Sequence, residues 1–178
     1  MAALMHALGQ SGGGPPGRSI LGVNVIAHSG LDAWRGRLVP LHWNQAAARE
    51  LEEGGFAVTR EEAVSGRTFD EVWLLPDRQR ECQLGELAFA WEALAEGGRL
   101  LVSVRNDWGA KRLEERWRDV CGSEVACVSK HHCRVFESVK RAGAAKTGDI
   151  AAWKTAASLQ RLPGSGFWSR PGLFSWQE

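Results

Sequence analysis

The sequence predicts an α/β fold: a mostly parallel β-sheet with helices on both faces and a C-terminal antiparallel hairpin. Apolar, strand-like runs alternate with segments of helical periodicity through the middle of the chain, an order that is typical of parallel sheets covered by helices. Two further alternating runs, residues 124–129 and Cys133–Val139, are separated only by residues 130–132. That short connection predicts the hairpin.

The N-terminal part is predicted to contribute a leader and two strands. Residues 9–17 are rich in Gly and Pro, and we assign residues 1–18 to a flexible leader. Residues 19–27 are rich in Ile and Val, as in a buried strand. Residues 37–43 form a weaker strand, and Pro40 places it near an edge of the sheet.

Asn44 is a suitable N-cap for a helix over Gln45–Glu53, which Gly54 and Gly55 end. Residues 56–59 are predicted to form a short third strand.

The middle of the chain carries the clearest pattern. Residues 69–75 form a predicted strand, and residues 82–95 repeat apolar side chains with the 3.6-residue period of a helix. A strand over residues 99–104 follows. Asn106 or Asp107 is then expected to cap a helix over residues 108–120, which Gly122 closes.

Composition and charge exclude several classes of protein. The net charge is +1, although residues 129–178 carry +5 and residues 1–128 carry −4. A basic C-terminal part can favour phosphate-rich partners, or it can be a solvated polar tail. No apolar run reaches the roughly 18 residues of a membrane span, and residues 1–8 lack the features of a signal peptide. The four cysteines form no C-x-x-C pair, so we expect reduced thiols and a cytoplasmic location, without membrane association.

Three stretches resemble a known family. Residues 94–102 (LAEGGRLLV) with 105–111 (RNDWGAK), residues 129–136 (SKHHCRVF) and residues 171–176 (PGLFSW) are similar to runs of the small-subunit ribosomal RNA guanine-N2 methyltransferase family (RsmC type). The resemblance covers roughly residues 19–178. It implies the Rossmann-like class I S-adenosylmethionine-dependent methyltransferase fold, in a two-domain protein whose first half is a degenerate copy of the second.

The resemblance also implies that the two domains have different roles. Residues 19–140 would be the degenerate methyltransferase-like domain, and residues 141–178 a linker with the start of a catalytic domain that lies beyond Glu178. Within this linker, Asp149–Leu159 is a candidate short helix. That catalytic domain, in cis or in trans, would bind S-adenosylmethionine and methylate guanine. Ribosomal RNA and the catalytic domain are therefore the expected partners.

The residues that the cofactor would need are missing from the expected places. The turn after Ala27 has one glycine, Gly30, whereas a cofactor-binding turn of this kind is glycine-rich. No carboxylate follows the second strand to hold the ribose. The Asn-Pro-Pro-aromatic turn of amino-methyltransferases is replaced by Leu-Pro-Asp-Arg at residues 75–78. We expect Asp77 to cap a turn or to face water, with a remnant of the catalytic turn as the less favoured alternative. We assign no catalytic or cofactor-binding residue and no cofactor to this chain.

The hairpin turn is the best candidate functional segment. Lys130, His131, His132 and Arg134 are candidate RNA-binding residues, because cations and imidazoles at an exposed tip can contact phosphates. A solvated turn without a function is the alternative. A metal site is not expected, because adjacent residues on a strand, such as His132 and Cys133, point to opposite faces.

Three functions remain open. The first is a non-catalytic domain that supports the folding of a catalytic methyltransferase domain and contacts RNA. The second is an active methyltransferase with a diverged cofactor loop. The third is a protein-interaction domain, in which exposed aromatic residues such as Trp168, Phe174 and Trp176 bind a partner or a second copy of the chain.

Overall fold

The computed structural model of the chain describes residues 1–10, 17–161 and 166–171. Its main sheet has six strands in the spatial order β2-β1-β3-β4-β6-β5. The strands are β1 (Ile20–Val23), β2 (Leu38–Leu41), β3 (Phe69–Leu74), β4 (Leu94–Arg105), β5 (Val125–Lys130) and β6 (Cys133–Val139). The first four are parallel, and β6 runs antiparallel to both β4 and β5. The predicted mixed sheet with its terminal hairpin is confirmed, and β2, which contains Pro40, lies at an edge as expected.

Helices cover both faces of this sheet. They are α1 (Ala2–Gln10), α2 (Gln45–Glu53), α3 (Glu61–Val64), α4 (Arg80–Glu92), α5 (Ala110–Cys121) and α6 (Thr147–Ala157), with 3₁₀ turns at Ser29–Trp34 and Asn106–Trp108. Because side chains alternate along a strand, Val72 packs with α4, α5 and α6 on one face, and Trp73 packs with α1 and α2 on the other.

Local signals define the ends of several elements. The Asn44 side chain accepts hydrogen bonds from the backbone N–H groups of Ala46 and Ala47, at 2.9 and 3.2 Å, so it is the predicted N-cap of α2. Gly55 and Gly122 follow α2 and α5 with φ of 82° and 65°, a conformation that costs glycine little. The predicted ends of both helices are confirmed.

The assignment of the N-terminal residues to a flexible leader is wrong for residues 2–10. They form α1, in which Ala3 and Leu4 are almost fully buried against the face that carries Trp73. Apolar side chains that recur every three or four residues can cover a sheet face. Residues 2–10 show that pattern over little more than two helical turns. The glycines and prolines of residues 9–17 instead indicated a leader without regular structure.

The region assigned to a linker contains a helix close to the short one expected over Asp149–Leu159. Residues 147–157 fold into α6, which packs on α4. Gly85 of α4 makes this possible, since a Cβ atom there would lie 2.1 Å from the Cβ of Ala157. The Nζ of Lys154 on α6 also bonds the Glu92 carboxylate of α4 at 2.5 Å. Residues 160–161 (β7) and 168–169 (β8) form a separate two-stranded pair.

Three local predictions are also corrected. Residues 56–59 form only an isolated bridge, between Thr59 and Leu41. Helix α4 ends at Glu92, because Leu94 already pairs with β3. Neither Asn106 nor Asp107 caps α5. Gly109 holds the position before the helix with φ of 80°, and the Asp107 carboxylate instead pairs with the guanidinium of Arg105.

Candidate functional site

The topology of the sheet creates one switch point. Strand β1 lies between β2 and β3, so the chain runs outward from β1 to β2 and then crosses back to β3 on the other side. A crevice therefore opens beyond the carboxyl ends of β1 and β3. Open α/β sheets hold their ligands at such crevices.

Three residues from different elements meet at this crevice. Asn24 follows β1, Asp77 follows β3, and Glu86 lies in the second turn of α4. The side-chain amide of Asn24 donates to one oxygen of the Glu86 carboxylate at 2.9 Å, and the backbone N–H of Asp77 donates to the other oxygen at 2.8 Å. The carboxylate of Glu86 thus bridges the ends of the two strands.

The environment of Glu86 disfavours its negative charge. Burial raises the pKa of Glu86 to about 7, and the two hydrogen bonds oppose this shift only in part. Nearby Asp77 adds a repulsive negative charge, whereas Arg170 is close enough to attract the carboxylate. The charge of Glu86 therefore changes near neutral pH.

The turn after β1 has no glycine-rich loop. Asn24 adopts φ of 54° and donates its backbone N–H to the carbonyl of Leu41 at 2.8 Å. Gly22 lies within β1, where a Cβ atom would come within 2.8 Å of Leu38, so this glycine permits strand packing. A 3₁₀ turn, Ser29–Trp34, stands where a cofactor-binding fold would start a longer helix.

A groove of about 460 Å³ opens beside the end of β2. Its walls include His42 and Trp43 after β2, Arg49 on α2, Arg60 before α3, and Arg170. The ring of His42 accepts a hydrogen bond from the backbone N–H of Asn44 at 3.0 Å, and burial lowers the pKa of His42. Asn44 caps α2, so no carboxylate follows β2 directly in the sequence. The carboxylates of Glu52, Glu61 and Glu62 nevertheless line the groove, and Glu61 accepts the indole N–H of Trp43 at 3.2 Å.

The β5–β6 hairpin reaches the same edge of the sheet. His131 and His132 form its tight turn with φ of 50° and 57°, as a two-residue hairpin of this kind requires. The backbone N–H of Asn106, directly after β4, donates to the carbonyl of His132 at 3.0 Å. The exposed side chains of Lys130, His131 and His132 therefore stand at the carboxyl ends of the parallel strands. The ring of His6 on α1 meets the His131 ring edge-on, with centroids 6.1 Å apart.

Arg134, the fourth candidate RNA-binding residue, is not grouped with the other three. Its guanidinium donates to the carboxylate of Glu114 on α5 at 2.5 Å, and the Glu114 side chain is only 4% exposed. Arg118 binds the other oxygen of Glu114 at 2.6 Å. The structure therefore brings together Lys130, His131 and His132 at the tip, and places Arg134 in an ion-pair network beside it.

Sequence reasoning missed Glu86. The only signal was its position in α4, where it lies between the buried residues Leu84 and Leu87, a place where a carboxylate needs partners. Asp77 caps a turn, as the sequence indicated: its exposed side chain accepts a hydrogen bond from the backbone N–H of Gln79 at 2.9 Å.

Within residues 1–10, 17–161 and 166–171, no three His, Cys, Asp or Glu side chains converge as metal ligands would. Over the same residues, no helix has the length and apolar character to cross a membrane. Pro171 is described, but the rest of the PGLFSW run, with Phe174 and Trp176, lies outside the described residues.

The strand order and the two helical layers define the class I methyltransferase fold. Among solved structures, the chain is similar to the T. thermophilus 16S rRNA N2 G1207 methyltransferase (RsmC), determined with AdoMet and guanosine. The TM-score is 0.74 at 24% identity, and the match covers 98% of this chain but 48% of that one. The chain thus spans about half the length of this neighbour.

Smaller methyltransferases match with lower scores. The N-methyltransferase NodS from Bradyrhizobium japonicum WM9 has a TM-score of 0.55 at 14% identity, covering 78% of this chain and 93% of that one. A methyltransferase from Pyrococcus furiosus has a TM-score of 0.57 at 15% identity, covering 79% and 84%. No protein-family model and no curated protein sequence matches the chain.

Proposed function

We propose that this chain is a non-catalytic, methyltransferase-like domain of a ribosomal RNA (guanine-N2-)methyltransferase. It supports the folding of a catalytic domain, in cis or in trans, and contacts ribosomal RNA through the tip of its hairpin. The catalytic domain, and not this chain, binds S-adenosylmethionine.

The observation that carries this proposal is the occupation of the switch point by Glu86. Its carboxylate takes hydrogen bonds from Asn24 and Asp77, the groups that would otherwise be available to a ligand between β1 and β3. A glycine-rich turn, which would let a cofactor approach the backbone, is absent after β1. The similarity over 98% of this chain to about half of a 16S rRNA methyltransferase supports the part of the proposal that makes the chain one of two domains.

The RNA contact is proposed on the position of the hairpin tip. Lys130 has no carboxylate partner among the described residues, and His131 and His132 are exposed beside it. All three face the carboxyl edge of the sheet, the edge at which this fold places substrates. Exposed cations of this kind supply the salt-dependent part of RNA binding.

Isothermal titration of the chain with S-adenosylmethionine tests the first part of the proposal. We expect no saturable heat at cofactor concentrations up to the millimolar range, while an active class I methyltransferase titrated in parallel binds. Saturable one-to-one binding would overturn the proposal and favour an active methyltransferase with a diverged loop. The chain should then be assayed for methyl transfer.

A further inference from the structure

Arg105, the last residue of β4, is held in one orientation at the carboxyl edge of the sheet. Its guanidinium donates two hydrogen bonds to the Asp107 carboxylate, from Nε to one oxygen at 3.0 Å and from Nη2 to the other at 2.9 Å. The same guanidinium lies over the indole ring of Trp108, with Cζ 5.3 Å from the ring centroid. The Arg105 side chain is nevertheless 58% exposed, so its guanidinium is fixed on two sides and still open to solvent.

The loop that carries Asp107 and Trp108 is itself anchored to the fold. The Trp108 ring packs against the core on the face of α4 and α5. The buried side chain of Gln83 on α4 donates to the backbone carbonyl of Trp108 at 3.1 Å. The orientation of Arg105 is therefore set before any ligand binds, which lowers the entropic cost of a contact.

Arg105 lies beside the tip of the hairpin. It pairs with Cys133 of β6, and Cys133 pairs with Lys130 of β5, so these side chains leave the sheet on the same face. Two strand spacings place the Cα atoms of Arg105 and Lys130 about 10 Å apart. The backbone N–H of Asn106 also donates to the carbonyl of His132 at 3.0 Å. Arg105 and Lys130 are thus close enough to contact neighbouring parts of one ligand.

The two cations suit different parts of a ligand. The charge of Arg105 is balanced by its ion pair with Asp107, so its guanidinium adds little net attraction for a phosphate. The guanidinium face turned away from Trp108 remains, and such planes stack on unpaired RNA bases. The exposed ammonium group of Lys130 is a point charge that suits a phosphate.

We propose that the guanidinium of Arg105 stacks on an unpaired RNA base while Lys130 binds a neighbouring phosphate. The ligand of the tip is then single-stranded RNA, because the bases of a duplex are stacked on one another and their faces are not accessible. This inference rests on the proposed RNA contact and names the part of the RNA that the tip recognises.

Fluorescence anisotropy with two labelled ligands tests the proposal on the full chain. One ligand is a single-stranded oligoribonucleotide of about ten nucleotides, and the other is its abasic analogue, with the same ribose-phosphate backbone and no bases. We expect wild type to bind the oligoribonucleotide about three- to fivefold more tightly than the analogue. Arg105→Lys keeps the charge but lacks the planar guanidinium. It should lose this preference and bind the analogue as wild type does.

Two further variants separate stacking from charge. Arg67→Lys is the matched control, because exposed Arg67 also lies over an aromatic ring, Phe69 at 5.2 Å, but at the opposite edge of the sheet. It should bind both ligands like wild type. Lys130→Ala should weaken both ligands by the same factor, because both carry the phosphates.

The outcomes distinguish this inference from the proposed function. Equal affinity of wild type for the two ligands, or an Arg105→Lys variant that weakens both equally or neither, would refute the stacking role. If Lys130→Ala still weakened both ligands, the RNA contact at the tip would stand without it. A wild-type chain that binds neither ligand would contradict the RNA contact and this inference together.

Discussion

The guanidinium of Arg134 donates a 2.5 Å hydrogen bond to the carboxylate of Glu114, and this contact divides the positive charge around the hairpin into two groups. Arg134 is paired with a buried carboxylate, which it shares with Arg118, whereas Lys130 remains exposed at the tip with His131 and His132. The two cations should therefore respond differently to substitution.

The RNA contact is tested by substituting these two cations in turn. We expect Lys130→Ala to weaken binding of a fluorescent 16S rRNA fragment by about fivefold near 0.1 M salt, and to reduce the slope of log K against log salt by about 1. Arg134→Ala should keep the RNA affinity of the folded protein and lower its stability by about 2 kcal/mol, because Glu114 loses a partner. Lys111→Ala, at an exposed site of α5, is the control. Equal losses of affinity for Lys111→Ala and Lys130→Ala would argue against a contact at the tip.

Helix α1 should contribute measurably to stability. Leu4 is fully buried, so we expect Leu4→Ala to reduce the free energy of unfolding by about 3 kcal/mol through lost apolar contact and the cavity left behind. Leu159→Ala makes the same change at a side chain that is 55% exposed and should cost less than about 1 kcal/mol. Urea unfolding measures both. A negligible effect of Leu4→Ala would show that α1 is dispensable.

The packing of α6 on α4 should depend on Gly85. In Gly85→Ala the new methyl group would meet Ala157 at 2.1 Å, so the helices must separate. We expect a loss of about 1 to 2 kcal/mol, even though alanine favours a helix. Gly148→Ala in α6 is the matched control, since nothing lies within 4 Å of a Cβ atom there, and it should be neutral or slightly stabilising. Equal unfolding free energies for the two variants would contradict the close contact.

Glu86 should make the stability of the chain depend on pH. Its pKa is about 7 in the folded protein, against 4.5 ordinarily, so the folded state holds a proton that the unfolded state has released between these values. The contribution of Glu86 to stability is therefore fully present below pH 4.5 and is lost as pH rises through 7, by up to about 3 kcal/mol.

The difference between wild type and Glu86→Gln isolates this effect. His42, whose pKa burial lowers, titrates in both proteins and cancels in the comparison. We expect the stability of wild type relative to the variant to fall between pH 5 and pH 8. A difference that is constant over this range would mean that Glu86 is ionised throughout.

Much of the fold could be predicted because its signals are local. The Asn44 cap, the glycines after α2 and α5, and the alternating runs of β5 and β6 act over a few residues. The element that was mispredicted, α1, depends on a distant partner, because it packs on the sheet face that carries Trp73. For helix α6 the sequence indicated a short helix but not its packing on α4, for which Gly85, more than 60 residues earlier, makes room.

The features of the candidate site also fall into two groups, those set by neighbouring residues and those set by distant contacts. The sequence by itself determined the α/β order of elements, the hairpin with its exposed Lys130, and the missing glycine-rich turn after β1, since each follows from residues that are adjacent in the chain. Only the tertiary structure decided that Glu86 fills the switch point and that Arg134 pairs with Glu114. Those contacts join residues 62 and 20 positions apart, and a hydrogen bond over such a distance depends on how the sheet and helices pack.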